Sequence, residues 1–553
     1  MKRVITIVMG LFVLLAVSAQ NVATDDLHKP VNVDDAVVTG GVLRTQVLRD
    51  TLMTNPETGQ LDTVIVIVDN IDIPVNELGG KPEKAMEAAK VAYRAKVQRR
   101  ASASDQMEYS DYYYGVAYYL YTFNYPSIDK HGNRIILSSL AAFPYFTNSE
   151  WDDKGYRFNN VIIGCHCTIT SNKECPSLYS KSGSFQSDVN MMQYYASWGK
   201  GLFKKSKDDP SYYNLLIMPD YEGYGVTKDR PHPYLYQELT ARQVVDGVRY
   251  GITLFRNGRF TNKDDGKSAS HAQSANPFRY GKYIPIGASQ GGSVAMAVHR
   301  FIEQNDLNSL MPLAGSICCD GPYDPVATLK YFMRADLGAG HNAGELTMPV
   351  AIALIIKGML DTNPLMMKYK ATDFFTQTFI DTDILDIIAN KQYENLEKTT
   401  DDVKSYLKKL YKQDKYKKLL TSEGRCNLQY ALTQRCWDYM TALANNTTLP
   451  DYQEMHDLIA ALESNNLTKN WTPQKPICMF HSTKDTVVPY DNFVSARDAF
   501  KGKVTLYVDN SDTEDHVKAC ANFMFTFFGA APDIKFIRTL LNYGTDKYAP
   551  YNP

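Results

Sequence analysis

The chain has 553 residues and a formal net charge of −2 at neutral pH, with hydrophobic side chains at 44% and charged ones at 22%. That balance offers no overall field to DNA, RNA or an anionic lipid surface, and it supplies enough apolar material for one large core carrying insertions. The 9 cysteines are too few for a disulfide scaffold, and their odd number leaves at least one thiol unpaired.

Residues 1–19 read as a secretory signal peptide. Lys2 and Arg3 give the positive start, 4–17 the apolar core, and Val17-Ser18-Ala19 a small-residue cleavage pattern. The apolar run is short for a membrane span, no later segment is long and apolar enough to be one, and no cysteine follows the cleavage point to carry a lipid. The expectation is a secreted or periplasmic protein with no transmembrane segment once the signal is removed.

Residues 20–105 form an N-terminal accessory region, with strands at 42–48 and 63–68 joined across 55–59 and a helix over 83–100. The first part of the catalytic core follows over 106–325. A Tyr-rich strand over 112–121 and an aliphatic one over 134–140, separated by a turn at 129–133, suit the antiparallel edge of a larger sheet. Short apolar runs at 160–164, 215–218, 283–286 and 310–317 then alternate with longer helical stretches, the signature of a parallel α/β sheet. Cys165-His166-Cys167 invites a metal reading, but strand alternation sets His166 on the face opposite both cysteines. Disulfide candidates are Cys426 with Cys436, or a pair drawn from Cys165, Cys167 and Cys175.

Gly287-Ala288-Ser289-Gln290-Gly291 lies between the apolar run 283–286 and a helical pattern over 292–304. Strand, tight turn and helix is the setting of a nucleophile elbow, in which the serine hydroxyl is pushed out of the turn and the next helix aims its N-terminal dipole at developing negative charge. Glycines at the turn are expected to absorb the strained backbone angles. A glycine-rich turn whose serine only caps the helix would carry the same string, so the remainder of the constellation must decide.

Residues 326–470 are mostly helical in pattern and interrupt the sheet as a cap. Within them 349–360 is apolar on nearly every face, and 404–418 sets Val403, Tyr406, Leu407, Leu410 and Tyr411 at helical spacing beneath a lysine-rich surface. The core resumes over 471–553 with strands at 476–480 and 504–508.

A serine hydroxyl is a weak nucleophile at neutral pH and needs an imidazole to take its proton and a carboxylate to orient that imidazole. Asp485 stands in the loop after the strand at 476–480. His516 follows the acidic loop 511–515 and precedes an apolar helix over 517–528. Asp512 or Asp515 could replace Asp485 as the orienting acid; the position at a strand end favours Asp485. His299, His232 and His481 fit less well and default to structural roles, whereas His166 opens the loop that would hold the second oxyanion donor. Two backbone N–H groups are needed there, assigned to Gln290 and to Cys167 or Thr168; losing one such donor costs about 3 kcal/mol in the transition state.

At this point the chain resembles the α/β-hydrolase superfamily and, within it, the secretory lipase family of secreted serine esterases. The matching residues are Pro219-Asp220-Tyr221-Glu222-Gly223-Tyr224-Gly225, His232-Pro233-Tyr234-Leu235, Gly287 to Gly292, Gly321-Pro322-Tyr323-Asp324, and Asp485 with Val488-Pro489. The resemblance implies an α/β-hydrolase fold with a mostly parallel eight-stranded sheet flanked by helices, a helical cap between strands six and seven, and the triad Ser289, Asp485 and His516, with no cofactor. It implies ester hydrolysis of a small-molecule, lipid or carbohydrate ester. Two departures stand out: the extra N-terminal region, and His166-Cys167-Thr168 where the family has His-Gly-Thr, a change that forbids some backbone angles unless the loop is held differently. A serine peptidase on the same triad, or a binding protein that kept the fold without turnover, are the competing readings.

Overall fold

The computed structural model describes residues 27–54, 61–100, 112–115, 117–178, 213–261, 271, 274, 276–334, 343–390, 399–500, 506–511 and 516–520. The signal peptide expected at 1–19, Asp512 and Asp515 lie outside the described residues.

The strands, in chain order, are β1 (Val37–Thr54), β2 (Leu61–Pro74), β3 (Tyr112–Tyr114), β4 (Tyr118–Ile128), β5 (Arg134–Pro144), β6 (Val161–Cys165), β7 (Leu215–Pro219), β8 (Tyr283–Ala288), β9 (Ser316–Cys319), β10 (Glu345–Leu346), β11 (Cys426–Asn427), β12 (Ile477–Ser482) and β13 (Leu506–Ser511). All but β10 and β11 form one 11-stranded sheet in the order β13-β12-β9-β8-β6-β7-β5-β4-β1-β2, with β3 paired to β1 beside that path. From β4 to β13 this is the expected eight-stranded, mostly parallel sheet, in which β5 alone runs against both neighbours. Strands β6 to β9 are short and buried along their whole length, because in a parallel sheet helices cover both faces and apolar residues need not alternate with polar ones.

Helix α1 is Pro82–Arg100, α2 is Gln237–Arg256, α3 is Gln290–Gln304, α4 is Pro325–Met333 and α5 is Pro349–Thr362. Helix α2 covers β4, β5 and β7, while α3 lies on β6, β8 and β9. The N-terminal region continues the sheet: β1 pairs antiparallel with β4 and with β2. There the buried Arg44 guanidinium makes two hydrogen bonds to Asp72, at 2.7 and 2.6 Å. The helical segment between β9 and β12 gathers its own apolar cluster, including Val350, Ala353, Leu354, Met359, Val403, Leu407 and Leu410, with Tyr234 and Leu235 reaching into it from the loop after β7.

Several boundaries differ from the sequence expectations. Strands β1 and β2 far outrun 42–48 and 63–68, since long hairpin pairing carries the polar stretches of both along with it, through a register shift at Val47/Leu48. The Tyr-rich run divides into β3 and β4. The apolar run 310–317 is strand only at its end: Leu313 makes an isolated bridge to Tyr283, and Met311 and Leu313 are buried as loop residues. Cys426 and Cys436 are not in disulfides, and neither are Cys165, Cys167 and Cys175. Cys426 sits in β11 opposite Leu346, and the Cys436 thiol donates to the Asp373 carbonyl at 3.6 Å, so the expected 426–436 bridge is not formed.

Candidate active site

Ser289 joins β8 to α3 with φ 56° and ψ −126°, a conformation that L-residues rarely hold unless the surroundings enforce it. Its N–H donates to the Cys319 carbonyl at the end of β9 (2.9 Å), and its own carbonyl accepts from Gly292 and Ser293 at 2.9 and 3.3 Å. The strain therefore sits on the serine, not on its glycines. Those are needed for space: a Cβ on Gly287 would stand 2.2 Å from the Gly291 carbonyl oxygen, and one on Gly291 would stand 2.1 Å from that of Cys165.

Strand β13 pairs parallel with β12 and so ends on the same edge of the sheet as β8, and beyond it His516 lies in a helical turn. His516 Nε2 lies 2.8 Å from Ser289 Oγ, and His516 Nδ1 lies 2.5 Å from Asp485 Oδ2. Asp485 Oδ1 accepts from Val487 and Val488 N–H at 2.8 and 2.9 Å. A carboxylate whose second oxygen is saturated by backbone donors can only accept from Nδ1, which leaves Nε2 as the acceptor for the serine proton. Asp485 and His516 are both buried. Burial opposes the charge on each, but their mutual attraction outweighs it, holding the Asp485 carboxyl below its ordinary range and the His516 imidazole well above its own.

The three residues expected to form a relay are thus brought together. The segment expected to hold the second oxyanion donor lies against the elbow. The N–H of Gln290 opens α3, where first-turn donors have no acceptor inside the helix, and the β6–Thr168 segment abuts the elbow, the His166 carbonyl oxygen lying 2.7 Å from where a Gly291 Cβ would be. Cys167 does not take a positive φ, so the backbone strain expected of a cysteine here is not present. Thr168 Oγ1 is hydrogen-bonded to the Tyr234 hydroxyl at 2.8 Å. His166 Nδ1 donates to the Cys167 carbonyl at 2.8 Å, its ring stacks on Tyr221 with centroids 3.8 Å apart, and burial lowers its pKa to about 4.

Of the other histidines, His299 is fixed between Ser316 and Glu303, and His481 donates to the Val488 carbonyl. Sequence reasoning missed two neighbours of the relay. Cys520, one helical turn after His516, places Sγ 3.8 Å from His516 Nε2. Asp320, buried after β9, accepts from the Ser482 N–H at 2.8 Å, and burial first, with repulsion from Asp485, raises its pKa. The donor atoms of Cys319, Asp320 and Cys520 lie within 4.8 Å of one another, as do those of Asp320, His481 and Asp485; among the described residues these are the sets with cation-holding geometry. A signal existed for Asp320, which directly follows β9, much as Asp485 follows β12 after Thr483 and Lys484.

No protein-family model and no curated protein matches the chain. Solved structures do. The rice cell wall degrading esterase LipA from Xanthomonas oryzae is 18% identical, with a TM-score of 0.51 over 78% of this chain and 91% of its own. A Legionella pneumophila protein designated a hydrolase by inference is 16% identical, with a TM-score of 0.53 over 77% of this chain and 90% of its own. The strand order, the elbow after β8 and these structural likenesses give the chain the α/β-hydrolase fold.

Proposed function

We propose that the protein is a secreted serine hydrolase that cleaves carboxylic esters through an acyl-enzyme on Ser289. In this reading Ser289 Oγ attacks the ester carbonyl as its proton passes to His516 Nε2, and Asp485 holds the imidazolium that forms. The oxyanion is received by the N–H of Gln290 and by that of Cys167 or Thr168. His516 then gives its proton to the leaving alcohol. In the second half a water loses a proton to Nε2, attacks the acyl carbon and releases the acid, restoring the Ser289 hydroxyl.

One observation carries this reading: a strained serine at a strand–helix turn, 2.8 Å from an imidazole that is in turn 2.5 Å from a buried carboxylate. A surface histidine that merely capped a helix would have no reason to meet both. No described helix is long and apolar enough to cross a membrane, which is compatible with export behind a cleaved leader. A fluorophosphonate probe is expected to label the wild-type protein and not Ser289→Ala. Equal labelling of both would remove Ser289 from this role. Export is tested separately by N-terminal sequencing of the mature protein, expected to begin at Gln20.

A further inference from the structure

Gln290 supplies a backbone donor to the oxyanion in the proposed mechanism, and its side chain is also held. Its amide Nε2 lies 2.8 Å from His232 Nε2, and His232 Nδ1 lies 2.8 Å from the Glu222 carbonyl oxygen. A carbonyl can only accept, so Nδ1 carries the ring proton and Nε2 is the lone pair that receives the Gln290 amide. The His232 ring is fixed on its other sides. It lies parallel to Tyr221 at 6.0 Å and 6°, and Tyr224 and Tyr234 stand 5.0 and 5.8 Å from it. Gly223, with φ 96°, makes room for it: a Cβ there would meet the His232 backbone at 2.8 Å. Tyr221 in turn donates its hydroxyl to the His166 carbonyl at 3.1 Å and stacks on the His166 ring.

We infer that His232 is a positioning residue for the oxyanion site, holding Gln290 on one side and, through Tyr221, the loop of Cys167 and Thr168 on the other. The inference rests on the Ser289 reading. The peptide between Ser289 and Gln290 is the hinge of the elbow, and rotation there would swing the Gln290 N–H away from the developing oxyanion. The bond from the Gln290 side chain to a ring anchored at Glu222 resists that rotation. Because the donor matters most when charge develops, loss of the anchor should lower kcat and leave KM nearly unchanged.

The test is a double-mutant cycle on a chromogenic ester with His232→Phe, Gln290→Ala and the pair, alongside Ser289→Ala and thermal melts of each. His232→Phe keeps the ring and removes the acceptor. Its kcat is expected to fall on the order of tenfold, with KM within about twofold, since partial misplacement costs less than the ~10²–10³ of a lost donor. Gln290→Ala should lose a similar amount, and the double variant no more than either alone. His232→Asn, which can still accept from Gln290, should recover part of the rate. Multiplicative losses in the double variant, or a change in KM alone, would overturn the inference while leaving Ser289 intact. Undiminished turnover by Ser289→Ala would instead sink the underlying reading. If His232→Phe does not fold, the cycle is run with His232→Asn and Gln290→Ala, where multiplicative losses would again overturn the inference.

Discussion

His516 Nδ1 stands 2.5 Å from Asp485 Oδ2, while the other Asp485 oxygen is occupied by the N–H groups of Val487 and Val488. The carboxylate cannot rotate away without abandoning two backbone donors. Asp485→Asn would keep those two bonds through its carbonyl and present an NH₂ to Nδ1. The imidazole then has to carry its proton on Nε2, where it can no longer receive one from Ser289. Steady-state kinetics should show kcat lower by about 10³–10⁴, as for wrong-tautomer variants of such relays, with a smaller change in KM.

The same pair sets the pH dependence. Catalysis needs neutral His516, and the Asp485 carboxylate raises the imidazole well above 6.5 despite its burial. Activity therefore falls as pH drops through that raised value, so the acid limb of kcat/KM should lie above pH 6.5. In Asp485→Asn the residual activity should have its acid limb at lower pH than the wild type. A limb that moves upward, or not at all, would show that another group titrates.

The elbow has no room for a methyl group. Gly291→Ala would drive a Cβ to 2.1 Å from the Cys165 carbonyl oxygen, and backbone on both sides must shift. Differential scanning calorimetry should register a loss of about 1–3 kcal/mol or more, and probe labelling of Ser289 should fall with it, because Cys165 leads directly into the oxyanion loop.

At the far end of the sheet, Asp72→Asn leaves the buried Arg44 guanidinium with a neutral partner. Charged hydrogen bonds of this kind contribute about 1.5–3 kcal/mol, less here because Asp72 is partly exposed. The melting temperature should drop while kcat below the melt stays at the wild-type value, since β1 and β2 lie on the opposite side of the sheet path from β8.

The parallel half of the fold was legible in the sequence through short apolar runs punctuated by helical stretches. It stood out because β6, β7, β8 and β12 are buried on both faces and need no polar residues. The antiparallel part was blurred for the opposite reason: β1 and β2 contain Arg44, Gln46, Asp69 and Asp72, whose burial or pairing depends on partners across the sheet. The run at 310–317 misled because Met311 and Leu313 are buried without being strand. Ser289, Asp485 and His516 could be placed because each follows a strand that pattern alone identifies. The strain on Ser289, the crowding around Gly287 and Gly291, and the His232–Gln290 bond arise from contacts between distant segments. No local pattern encodes them. Cys167 looked like a defect by analogy with glycine, yet its backbone does not take a positive φ.

The proposed mechanism stands or falls on a covalent acyl group at Ser289, which acid quench during turnover of a chromogenic ester, followed by peptide mass mapping, would detect. A burst of alcohol approaching one per active site is expected when deacylation is slower than acylation, with the acyl mass on the peptide containing Ser289. Turnover with the acyl mass on a different residue, or with none on that peptide when its probe adduct is recovered intact under the same quench, would contradict the mechanism.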